Sequence, residues 1–201
     1  MIRRINAALA LFAALSGCNP SGSDDEPVAV IHTIPASSPS EAAAKPVPFE
    51  APRFILDAEG FTVRTADARA RFAFGSRQAA VMRAAAVASG SDGTLSLNDE
   101  CGAGPMQFAA FRGLSLGFQD GKFVGWVAAE GSNVVTVDGV RLGTLLADLS
   151  PERGVVPVAD TTLDGEVEYS VADGSTLGGF VSEGAEPRLT SLYAGMTCFF
   201  R

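Results

Sequence analysis

Residues 114–127 read LSLGFQDGKFVGWV, an Asp-Gly pair set between two alternating apolar runs. Asp120-Gly121 tolerates the positive φ angles of a tight two-residue turn whose twist suits paired strands, so this stretch predicts a β-hairpin. Leu114, Leu116 and Phe118 then share one face, and Ser115 and Gln119 share the other. Elsewhere the apolar residues again come in short runs, broken at Gly131, Gly139, Asp164-Gly165, Asp173-Gly174 and Gly184. Such punctuation favours strands and turns over long helices. The pattern predicts strands near residues 61–63, 71–74, 107–111, 114–118, 123–128, 134–137, 167–171, 177–181, 188–192 and 197–200.

Two short helices are expected among them. Ser76 is placed to cap the first, with Val81, Ala84, Ala85 and Ala88 as its apolar stripe. Thr144 is placed to cap the second, with Leu145, Leu146 and Leu149 on its apolar face and Pro151 stopping it. The fold class expected is therefore α+β, an antiparallel sheet with short helices. Phe74-Gly75-Ser76 and Leu142-Gly143-Thr144 open the two helices alike. This suggests a helix-plus-sheet unit occurring twice, over about residues 51–131 and 132–201. "RFAFGSRQAAV" with the "LSLGFQDGKFVGW" hairpin, and "DGVRLGTLLADL", resemble the repeat of SmpA/OmlA-type envelope lipoproteins and of the tandem beta-lactamase inhibitor proteins. That resemblance implies helices packed on antiparallel sheets that bind other proteins, and a role in envelope assembly.

The beginning of the chain has a different character. Arg3 and Arg4 precede an apolar run from Ile5 to Leu15, followed by Ser16, Gly17 and Cys18. This is the arrangement of a secretory signal, and the run is about half the length of a membrane-spanning helix. Leu15-Ser16-Gly17-Cys18 resembles the lipobox of bacterial lipoproteins. The resemblance implies that residues 1–17 are removed, that the Cys18 thiol is acylated, and that the lipid bilayer holds the protein through it. Asn19 after that cysteine implies the outer membrane, with the domain in the periplasm.

Residues 18–50 are rich in Pro, Ser, Ala and acidic side chains with no sustained apolar period, and they read as a disordered linker. The domain is expected over residues 51–201, a common single-domain length. Removal of Arg3 and Arg4 takes the formal charge from −8 to −10. That balance disfavours nucleic acid as a partner, because phosphate contacts need clustered Lys and Arg. The sole histidine, His32, lies in the linker. With no calcium-loop spacing around Asp92, Asp99 and Glu100 and no zinc donors, neither a bound metal nor a cofactor is expected.

With Cys18 assigned to lipid, Cys101 and Cys198 remain as an even pair, which in an oxidising compartment reads as a disulfide. The alternative makes Cys101 a nucleophile, but the domain holds no histidine to act as its base, and Arg112 cannot serve as one. Glu166 and Glu168, two apart on a strand, share a face; they offer either an acid–base pair or a solvated acidic surface. With Trp126 they form the candidate binding face for an envelope protein partner. A small apolar ligand held near Trp126 is a further alternative.

Overall fold

The computed structural model describes residues 53–66, 68–171 and 173–199. Its strands and helices follow in the order β1 (Phe54–Asp57), β2 (Gly60–Arg64), β3 (Arg69–Ala73), α1 (Gln78–Ser89), β4 (Thr94–Asn98), β5 (Met106–Phe111), β6 (Leu114–Gln119) and β7 (Lys122–Ala129). β8 (Val134–Thr136), α2 (Leu146–Arg153), β9 (Val156–Pro157), β10 (Glu166–Ser170), β11 (Thr176–Val181) and β12 (Leu189–Gly195) complete it. The α+β expectation is corrected to a mainly β fold. The helices are short, at 12 and 8 residues, and every other regular element is a strand.

The strands form two sheets. The larger has the order β4-β5-β6-β7-β12-β11-β10-β9, and its neighbours are all antiparallel. It consists of two four-stranded meanders whose last strands pair with each other, with Ala194 opposite Trp126 and Leu192 opposite Ala128. The smaller sheet has the order β3-β2-β1-β8, and β1 and β8 run parallel. The hairpin at Asp120-Gly121 forms as its sequence requires, both residues at positive φ.

One face of the large sheet carries the core. Leu114, Leu116 and Phe118 of β6 lie on it with Phe123, Trp126 and Ala128 of β7, all buried. Leu56 and Phe61 of the small sheet and Val81, Ala85 and Ala88 of α1 join the same cluster. Phe61 meets Phe123 edge-on, ring centroids 5.3 Å apart. Trp126 is 1% exposed, and its indole Nε1 donates to the Asp57 carbonyl at 3.0 Å, so the buried N–H is satisfied across the two sheets.

Both helices start one residue later than their expected caps. Arg77 and Leu145 stand at the N-caps with extended backbones and no side-chain capping bond. The sheet supplies what a hydroxyl would have given. Gln78 N donates to Gly121 O at 2.9 Å, and Leu146 N donates to Pro187 O at 2.8 Å. Thr144 Oγ1 instead donates back to Arg141 O. Pro151 lies inside α2, and the helix ends at Gly154 in the left-handed region that favours glycine.

The end of α2 is fixed by charge. Arg153 Nε donates to Asp138 Oδ2 at 2.7 Å, Arg153 Nη2 donates to the Asp138 carbonyl, and the Asp138 side chain is 6% exposed. Thr136 Oγ1 donates to the other carboxylate oxygen. The buried Tyr169 hydroxyl beside them makes no well-formed hydrogen bond. Burial pushes its pKa well above the usual tyrosine range, with Thr136 and Arg153 opposing and the Asp138 charge adding to the rise.

Candidate functional site

The face of the large sheet turned away from the core is built in two parts. At one end, chain crosses over it. After Gly195, at φ 74, the backbone leaves β12, and Met196 N donates to Val124 O at 2.8 Å. No strand forms over residues 197–199, which corrects the expected strand there; residue 200 lies outside the described residues. Gly117, Gly125 and Gly195 sit opposite one another on adjacent strands. A Cβ on Gly125 would lie 2.1 Å from the Met196 carbonyl oxygen, so only glycine lets the crossing backbone come this close.

The crossing is pinned at its far end, by the β4–β5 loop. Cys198 is joined to Cys101 in the β4–β5 loop, with Cα atoms 5.1 Å apart and 97 residues of sequence separation. Asn98 Nδ2 approaches the Cys198 sulfur at 3.2 Å, and Gln119 Nε2 holds the same loop through Ala103 O at 2.7 Å. With its sulfur in this bond, Cys101 presents no free thiol. Phe199 then packs against Phe180 and Tyr193, at 5.4 and 5.1 Å.

Glu166 belongs to this covered region and is only 3% exposed. Its carboxylate accepts from Thr161 Oγ1 and from the Tyr193 hydroxyl. Tyr193 reaches it by lying over Gly178, where a Cβ would meet the ring at 2.1 Å. Glu168, two residues on, is exposed. The three residues of the expected binding face are thus separated: Trp126 is in the core, Glu166 is enclosed, and Glu168 alone meets solvent. Alternation gave the shared side of Glu166 and Glu168 correctly but could not show that Tyr193 and Phe199 fold over only one of them. Trp126 itself is packed into the core, among Leu116, Phe123 and Ala128 of the same cluster. Cys18 and His32 lie outside the described residues.

Away from the crossing, the patch of this face on β4 to β7 and at Ser191 of β12 is open and uncharged, while Glu168 stands exposed on β10. Thr94, Ser96, Phe108, Ala110, Ser115, Val127, Ala129 and Ser191 present small or apolar side chains to it, none of them buried. It ends at β4, the sheet's edge strand, which reads TLSLN without charge or proline. Leu95 and Leu97 of β4, on the side toward the core, are nonetheless 54% and 64% exposed. Sequence reading missed this strand, because its flanks Gly90-Ser91-Asp92-Gly93 and Asp99 made the stretch look like a loop. The opposite edge, β9, is two residues long and contains Pro157. In the small sheet β3 carries Arg69 and Arg71, and β8 has three residues. Short length, proline and charge each discourage further strand pairing. β4 alone among the described sheet edges has none of these guards.

Among the described residues no three of His, Cys, Asp and Glu converge as a metal site, and no helix is long and apolar enough to cross a membrane. No protein family, curated protein or solved structure matches the chain.

Gly125→Val tests the crossing segment. The added side chain is expected to lift residues 196–199 off the sheet, so the Met196 amide should exchange with solvent at least tenfold faster. Unchanged protection at that amide would mean the glycine is not what admits the segment.

Proposed function

We propose that the chain is an outer-membrane lipoprotein, acylated at Cys18, whose periplasmic domain binds another envelope protein along the β4 edge. The observation that carries this reading is the unguarded edge itself. An exposed strand with free backbone groups accepts an extended segment from a partner, and pockets for alternate side chains then confer specificity. Leu95 and Leu97 would receive apolar side chains of such a segment on the core side of the sheet. Protein binding through an added strand also agrees with the acidic balance, which gives no basic track for nucleic acid.

The likeness of the two halves supports the same reading. Gly75 N donates to Phe123 O at 2.7 Å and Phe123 N to Ser76 O at 2.9 Å; Gly143 N donates to Leu189 O at 2.7 Å and Leu189 N to Thr144 O at 2.9 Å. Each helix is thereby hung from the last strand of the meander that follows it. We read this as one helix-plus-meander unit used twice, its two copies joined into a single wide sheet.

The experiment is recovery of partners from envelope extract by wild type and by Leu95→Lys/Leu97→Lys. Both leucines are already solvent-exposed, so the fold tolerates the change while the lysines guard the edge. Partner recovery should fall at least tenfold; equal recovery removes β4 from the binding surface. In the same extracts Cys18→Ser should move the protein to the soluble fraction, and a variant that stays membrane-bound would refute the lipid anchor.

A further inference from the structure

A cavity of about 340 Å³ lies where the end of α1, the β5–β6 turn, the β7–β8 connection and the start of β1 converge. Its floor is apolar, formed by Phe54, Phe111, Leu114 and Val134, each almost fully buried beneath it. Among the described residues the charged ones lining it are Arg53 and Arg112, and none is a carboxylate. Arg53 Nη1 donates to Ala88 O at 3.0 Å, which places this guanidinium at the rim.

Arg112 is the less expected of the two. With Gly113 it forms the β5–β6 turn, at φ 40 and 80. The β6–β7 turn uses Asp120-Gly121 at nearly the same angles, 50 and 70, and Asp is a residue that this geometry accepts readily. A long, non-glycine side chain in the left-handed region is strained, and strain of this kind collects at ligand sites. Here Arg112 lines the cavity together with its apolar floor.

We propose that this cavity binds a small amphiphile with a carboxylate head and an aliphatic body. The carboxylate would pair with Arg112, and the chain would lie over Phe54, Phe111, Leu114 and Val134. A planar guanidinium suits a carboxylate through two parallel hydrogen bonds. The volume is near the lower end for small-molecule sites, which matches a chain of about ten carbons. The site is separate from the β4 edge and does not depend on the protein-binding reading.

Isothermal titration of the purified protein with decanoate, below its micelle concentration, and with decan-1-ol tests the proposal. Decanoate should bind one per chain, and the alcohol at least tenfold more weakly. Arg112→Asn should weaken decanoate at least tenfold while raising the melting temperature by about 1–3 °C, because Asn accepts the left-handed region. Arg112→Lys, which keeps the charge, should retain part of the affinity. Absence of saturable decanoate binding, equal binding of the alcohol, or wild-type affinity in Arg112→Asn would each overturn the proposal. Loss of both stability and binding in Arg112→Asn would also overturn it, by giving Arg112 a structural role instead.

Discussion

Cys198→Ser is expected to lower the melting temperature by roughly 5–20 °C. The Cys101–Cys198 bond closes a loop of nearly a hundred residues, for which chain entropy gives at most about 4.7 kcal/mol, and removal of a native disulfide typically costs about 2–5 kcal/mol. In a domain of this size each kcal/mol moves the midpoint by about 2–4 °C. The loss should also be local in origin. Met196, Cys198 and Phe199 would leave the sheet first, uncovering Tyr193 and the enclosed Glu166 carboxylate. Calorimetry in the absence of reductant measures the shift, and a midpoint within 2 °C of wild type would show that packing alone holds the segment down.

Asp138→Ala should be nearly as damaging, at about 3–5 kcal/mol in urea unfolding, because it removes the carboxylate that pairs with the largely buried Arg153 cation. The Thr136 hydroxyl keeps Val140 O but loses its nearer acceptor in the same step, and the last turn of α2 loses its tie to the turn after β8. Replacing both partners by apolar residues, Asp138→Leu/Arg153→Met, should recover much of the loss, since the buried charge then disappears with its partner. If Asp138→Ala loses less than about 1 kcal/mol, the pair is not what fixes the end of α2.

What could be read from the sequence was whatever short-range pattern determines. The β6–β7 hairpin was legible because Asp120-Gly121 fixes its turn and alternation fixes its faces. The disulfide was legible because two cysteines remained once Cys18 had been assigned. Helix caps were misplaced because the amides of Gln78 and Leu146 are satisfied by carbonyls from turns about 40 residues away, where no local signal points. The candidate binding face failed for a related reason. A tryptophan between valines and a pair of glutamates on a strand look alike whether the sheet is bare or covered, and the covering comes from residues 196–199. β4 was missed because its leucines, being exposed, contribute nothing to a core and stand among turn-forming neighbours.

The position of β12 has a consequence for how the protein is made. It lies in the interior of the large sheet, between β7 and β11, although it is the last of the described strands in chain order. A chain emerging from its amino end would deliver β4 to β7 early, with the long side of β7 unfilled. It could not close the sheet until residues 189–195 arrived. Pairings between such distant segments form slowly, and an open strand edge invites association in the meantime. Arrival of β12 is therefore the event that converts an adhesive half-sheet into the finished domain.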